Sequence, residues 1–270
     1  MKQKDLHRIK EWFSSFVRSY DSTDNLIKTN LRYKEDHSYE VAKICDQLAM
    51  SLGLPEEQTV LAEAIGLLHD VGRFPQFYLY KTFQDSQSEN HACLGVRILK
   101  EQTVLDFLEQ SEQDIINQAI HHHNFFKLPA QPETVDLFSK IIRDSDKLDI
   151  FRFIQESEKN RLTGNSSNTV HLELDSSSYF SDTLIDSILN RQCCFYSDLK
   201  TVHDFKLLQL SWVFDINFPR TFQLLKEKNY INELFLHLPK NQKIQQLIVK
   251  VNQYMESNLI LQKSPEISAK

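Results

Sequence analysis

Apolar residues return at three- and four-residue spacing along most of this chain, the spacing that puts side chains on one face of an α-helix. Ile9, Trp12, Phe13, Phe16 and Val17 make such a stripe in a helix predicted from Asp5 to about Tyr20. Asp21 to Leu31 reads as a polar connection or a short helix. Asp36-His37 then opens a helix to about Leu52, with Val41, Ile44, Cys45, Leu48 and Leu52 inward. His37 precedes Val41 by one turn and shares its face. Gly53 is a stop, and Pro55 suits the first turn of the next helix. The stripe of that helix, Leu61, Ala64, Ile65 and Leu68, ends in Leu68-His69-Asp70-Val71-Gly72-Arg73, with a histidine and an aspartate on a buried face.

Gly72 to Gln87 carries Pro75 and the aromatics Phe74, Phe77, Tyr78, Tyr80 and Phe83, and is expected to be a loop packed over a site. Ser88 is the expected cap of a helix to about Lys100, in which His91, Leu94, Gly95 and Ile98 share a face. A helix from Glu112 to Asn124 puts Ile116, Ala119, Ile120 and His123 on one stripe and turns His121 and His122 elsewhere. Beyond the turn at Pro129 and Pro132, a helix starts at Glu133 or Thr134 and runs through Phe138, Ile141 and Ile142 to Asp146, Lys147 and Asp149.

Asn160 to Ser178 changes to Ser, Asn, Thr and Gly, a loop with one short strand at Val170–Leu174. Further helices are predicted at about Tyr179–Arg191, Asp198–Ile216, Arg220–Lys228 and Asn241–Leu261, followed by a frayed tail from Lys263. The expected division is a helical core over 1–160 and a helical extension over 161–270. There is no internal repeat.

Composition narrows this picture. Five glycines and seven prolines in 270 residues leave few breaks, which with the periodicity predicts an all-α protein. A net charge of −6 argues against a nucleic-acid binder that works by bulk electrostatics. No apolar run approaches the roughly 20 residues that span a bilayer, and the charged N-terminus has no signal-peptide core. The expected location is cytoplasmic. Cys45, Cys93, Cys193 and Cys194 form no CxxC pair. Cys45 and Cys93 are expected to be buried thiols, and a reducing compartment fits.

The chemistry-bearing residues cluster. Of ten histidines, six lie between His37 and His123. His37, His69, His91 and His123 occupy inward positions on separate predicted helices, and Asp70 and Asp146 add carboxylates. Burying a carboxylate beside an imidazole is costly unless something compensates, and a divalent cation binds both at once. A nitrogen and oxygen donor set without sulfur suits Mn, Fe, Co, Ni, Zn or Mg. His171, His203 and His237 are read as structural or surface residues.

The order Glu35-Asp36-His37-Ser38, His69-Asp70-Val71-Gly72-Arg73, Glu89-Asn90-His91-Ala92, Ile120-His121-His122-His123-Asn124 and Ser145-Asp146-Lys147-Leu148 resembles the HD-domain superfamily of metal-dependent phosphohydrolases. The resemblance covers roughly Arg32 to Phe153. It implies a helical bundle whose metal ligands are His37, His69, Asp70, His91, His123 and Asp146, holding one or two ions. Asp146 fits the last aspartate of the pattern better than Asp144. The implied reaction is hydrolysis of a small phosphate ester, with a nucleotide among the candidates. Asp70, Arg73 and Lys147 are the catalytic candidates, the two cations facing phosphate charge. Asp85 is a candidate general acid. The Gly-Tyr-Pro signature of the cyclic-dinucleotide branch is absent, so the resemblance assigns no branch and no substrate. Two other readings use the same fold: a di-iron oxygenase, and a metal-bound sensing or interaction module without catalysis. The sequence leaves the oligomeric state open.

Overall fold

The computed structural model describes residues 1–162, 174 and 179–260, with side chains described for 1–157, 174 and 179–259. Its regular elements are helices, as the periodicity predicts. They form two compact units, Met1–Asp149 and Ile150–Lys270, and the division falls within one long helix.

The first unit contains α1 (Gln3–Arg18), α2 (Asn25–Ser51), α3 (Glu56–Leu68), α4 (Arg73–Tyr80), α5 (His91–Glu101), α6 (Gln110–His122) and the first part of α7 (Glu133–Leu162). Its central element is α3, which packs against α1, α2 and α6. Thr59 to Ala62 and Ala64 to Leu68 are all buried, the pattern of a helix surrounded by others. The crossing of α2 and α3 is close. A Cβ on Gly66 would stand 2.8 Å from the Cα of Ala42 and 2.9 Å from the Sγ of Cys45, so a side chain there would push the helices apart. This approach brings His37 on α2 beside His69, one turn after Gly66.

Several local expectations are corrected. α2 starts at Asn25, well before Asp36, because the Asp24 carboxylate caps it by accepting from the backbone N–H groups of Leu26 and Ile27. His37 therefore sits in mid-helix. The expected loop over 72–87 contains α4. Pro75 lies in its first turn, where a missing N–H breaks no helical hydrogen bond. Phe74 and Phe77 enter the core, whereas Tyr78 and Tyr80 are exposed. The cap of α5 is Asn90, whose side chain accepts from the Cys93 N–H at 3.0 Å, and Ser88 instead accepts from Gln76. Cys45 is buried as expected, but Cys93 is exposed, because α5 turns Ala92, Leu94, Gly95, Ile98 and Leu99 inward.

The second unit contains α8 (Asp182–Leu189), α9 (Val202–Ser211), α10 (Pro219–Glu227), α11 (Tyr230–Leu236) and α12 (Gln242–Ile260). α8 packs on α9 and α12, and α10 on α11 and α12. Leu184, Ile188, Leu207, Leu225, Leu247 and Val251 fill its core. α11 has no counterpart among the predicted helices. α9 is shorter than its predicted span, with 3₁₀ turns at Tyr196–Asp198 and Trp212–Asp215 on either side. The strand expected at Val170–Leu174, apart from Leu174, and His171 lie outside the described residues, as does the tail from 261. Among the described residues no helix is long and apolar enough to cross a membrane.

Candidate metal centre

Three helix junctions and one mid-helix position deliver the four inward histidines. His37 projects from mid-α2. His69 directly follows α3, His91 is the first residue of α5, and His123 directly follows α6. Their exposures are 1%, 0%, 3% and 6%, so bulk water does not reach their ring nitrogens freely.

Each ring is fixed from behind by an acceptor on Nδ1. His37 Nδ1 donates to Asp149 Oδ2 at 2.6 Å, and His91 Nδ1 to Asp85 Oδ2 at 2.8 Å. His69 Nδ1 donates to the Gly66 carbonyl at 2.7 Å, and His123 Nδ1 to the Ile120 carbonyl at 2.6 Å. Carbonyls and ionised carboxylates only accept, so the Nδ1 proton stays in place and each neutral ring presents the lone pair of Nε2. The four Nε2 atoms converge. Those of His37 and His69 have no hydrogen-bond partner. Those of His91 and His123 face each other at 3.0 Å, lone pair against lone pair. Buried polar atoms are rarely left in this state, and cations bound among these rings would give all four a partner.

Asp70 stands between the two histidine pairs. Its Oδ2 lies 3.6 Å from Nε2 of both His37 and His69. Its Oδ1 lies 3.5 Å from His91 Nε2 and 3.9 Å from His123 Nε2. Asp146 Oδ1 lies 3.1 Å from His37 Nε2 and 3.8 Å from His69 Nε2. Two donors about 2.1 Å from one ion stand roughly 3.0–3.4 Å apart. The observed separations are close to that before any ligand contracts. The groups His37–His69–Asp70, His69–His123–Asp146 and Asp70–His91–His123 can each hold an ion. Asp144, the rival of Asp146, belongs to none of these groups.

The electrostatics favour the ligating forms of every group here except His37. Burial would raise the Asp70 carboxyl, but Lys34 first, then His69, Arg73 and His91, hold it well below the usual range. Burial likewise opposes ionisation of Asp146, and His37 and His69 reverse it. Burial lowers His91 and His123 to about 4, so both rings are neutral at physiological pH. His69 is also lowered, mainly by burial. His37 differs: burial and Lys34 pull it down, yet Asp146 and Asp149 outweigh them and leave it raised.

A surrounding layer orients this cluster. Asp85 accepts from His91, from Arg73 Nη1 at 3.0 Å, from Gln76 Nε2 at 2.9 Å and from Asn124 Nδ2 at 3.3 Å. These donors hold its carboxyl below the ordinary range despite burial, so Asp85 is ionised and has no proton to give as a general acid. Arg73 Nη1 also donates to Gln76 Oε1 and the Phe83 carbonyl, while Nε lies 3.6 Å from Asp70 Oδ1. Lys147 Nζ donates to the Arg143 carbonyl at 3.3 Å. His121 and His122 turn away, to Cys93 Sγ at 3.7 Å and Gln131 Oε1 at 2.8 Å.

Three contributors had no role in the sequence reading: Asp149, Gln76 and Lys34. Lys34 donates to Asp70 Oδ2 at 2.7 Å. Its position one turn before His37 would have marked it had α2 been extended to Asn25.

No solved structure matches the chain. The HD domain family model matches residues 35–150, a segment that begins just after Lys34 and contains all six converging residues with Asp85 and Asp149. The match supports HD-domain superfamily membership for residues 35–150, the segment that carries the converging histidines and aspartates.

Proposed function

We propose that this protein is a metal-dependent phosphohydrolase acting on a small phosphate ester, with two divalent ions shared across Asp70. The observation that carries the reading is the division of Asp70. One oxygen faces the His37–His69 pair and the other faces the His91–His123 pair, and all four Nε2 lone pairs point inward. In this reading His37, His69, Asp146 and Asp70 would hold one ion, while His91, His123 and Asp70 would hold the other. Divalent ions so held supply Lewis acidity toward phosphoryl oxygens and make a water acidic enough to serve as nucleophile near neutral pH.

The protein's own groups do the rest. Asp149 and Asp85 fix His37 and His91 as neutral Nδ1–H tautomers and make Nε2 a better donor. Arg73 braces Asp85 and adds positive charge beside Asp70. Water adds to phosphorus and the ester P–O bond breaks. Phosphate and an alcohol leave, with the alcohol taking its proton from solvent because Asp85 carries none.

The test is Asp70→Ala beside the wild type. Both are loaded with Mn, assayed for metal content and circular dichroism, and screened for phosphate release from nucleotides and sugar phosphates. The expected variant keeps its helicity, loses both ions and releases no phosphate. A variant with full metal content and turnover overturns the reading. Tightly held iron with a redox-dependent spectrum and no phosphate release would replace it with an oxygenase.

A further inference from the structure

Arg73 is the cation that the sequence offers to a substrate phosphate, but its Nη1 is already occupied and its Nε lies 3.6 Å from Asp70 Oδ1. Nη1 serves Gln76 Oε1 at 2.8 Å, the Phe83 carbonyl at 2.6 Å and Asp85 at 3.0 Å. Lys34 is placed differently. Its ammonium has three N–H donors, and one of them reaches Asp70 Oδ2 at 2.7 Å. The side chain is 13% exposed, against 4% for Asp70, so it lies on the solvent side of the carboxylate. Nζ stands 5.4 Å from the Phe83 ring centre and 5.6 Å from that of Tyr33, two aromatic faces that attract a cation.

The oxygen that Lys34 holds is the same one that faces Nε2 of His37 and His69. The ammonium and an ion bound by those two rings therefore compete for Asp70 Oδ2. An ion held there would repel the ammonium, which could swing outward on its flexible stem near the Phe83 and Tyr33 rings. Its freed donors would then face the same site. The occupant that lowers the energy of both is an anion with several oxygens.

Resting on the metal site proposed above, we propose that Lys34 is the residue that binds the substrate phosphate, and that in the metal-free protein its ammonium stands in for the ion at Asp70. Lys34 lies outside the segment matched by the family model.

The proposal makes two effects of opposite sign, which a structural prop would not. Mn affinity, measured by calorimetry without phosphate, is expected to rise severalfold in Lys34→Met because the competing ammonium is gone. Binding of inorganic phosphate to the Mn-loaded protein is expected to fall roughly ten- to a hundredfold, the scale of a lost charged hydrogen bond. Lys34→Arg keeps a cation within reach and is expected to recover most of the phosphate binding. Unchanged phosphate affinity in Lys34→Met overturns the proposal, as does a parallel loss of Mn and phosphate affinity. Mn-loaded wild type that binds no phosphate also overturns it. Wild type that takes up no Mn overturns the proposed function first, and this inference with it.

Discussion

Gly72 and His91 touch backbone to backbone: a Cβ on Gly72 would stand 2.1 Å from the His91 carbonyl oxygen and 2.8 Å from the Gly95 nitrogen. Real Cβ atoms do not come this close to fixed backbone, so the glycine after His69-Asp70-Val71 is what lets α5 begin against the start of α4. That contact sets His91 across the cluster from Asp70. Gly72→Ala is therefore expected to destabilise the protein by roughly 2–3 kcal/mol, as overpacking does. The shifted start of α5 also carries His91 Nε2 away from His123. Thermal denaturation and metal content check this together, and a variant with wild-type values for both would show that α5 is not held by the contact.

Asp149 acts on the site through another residue. It is fully buried and its Oδ2 takes the Nδ1 proton of His37. Asn in its place still accepts that hydrogen bond, but the negative charge that makes Nε2 a stronger donor is gone. Asp149→Asn is expected to keep the fold and weaken metal affinity about tenfold, the lower end for groups supporting a ligating histidine. Unaltered affinity would reduce Asp149 to a packing residue.

The half of the site that lay on regular stripes was legible in the sequence. His69, His91 and His123 follow or share faces marked by Leu68, Ile98 and Ile120, and the structure brings them together. Lys34 was hidden because α2 has few apolar residues before His37. Yet Ile27, Leu31, Ser38, Val41 and Cys45 are buried at three-, four- and seven-residue steps, and Lys34 falls on that same stripe. α4 was hidden by Gly72 and Pro75, which read as breakers when their place in a first turn is not known. Asp149 and Asp85 carry no local signal, since a carboxylate's choice of imidazole depends on how α2 meets α7 and how residues 81–90 fold back. The all-α architecture survived these misses because it rests on many stripes rather than on any one boundary.

Acid is expected to destabilise the metal-free protein in a window set by its histidines. His91 and His123 titrate at about 4 in the fold and near 6.5 when unfolded, so between those values only the unfolded chain takes up their protons. Stability then rises with pH through the window, by up to about 1.4 kcal/mol per unit for each histidine, and is lost on acidification. His69 shifts in the same direction. The depressed Asp70 and Asp146 add a loss at lower pH, as pH falls below the ordinary carboxylate range. His37 opposes them: its raised pKa adds stability below about pH 6.5 that is lost as pH rises through the folded value. Three lowered histidines against one raised one give a net fall in Tm from pH 7 to pH 5 in chelator-treated protein. A flat or rising Tm over that range would mean that the rings are hydrated.

The triple-histidine run tests the number of ions. His123 is 6% exposed and its Nε2 meets that of His91, whereas His121 and His122 are only partly buried and bond to Cys93 and Gln131. Alanine at His121 or His122 is expected to leave metal content unchanged. Alanine at His123 or His91 has a sharper consequence. If a single ion sat among His37, His69, Asp70 and Asp146, neither change would alter stoichiometry. With Asp70 shared between two ions, each change strips a ligand from the ion that His91 and His123 hold with Asp70 Oδ1. Mn content is then expected to fall toward one equivalent, and turnover to fall with it, because one oxygen of the displacement loses its clamp. Wild type saturating at one equivalent, or His123→Ala retaining two, would leave His91 and His123 as a neutral pair beside a mononuclear site.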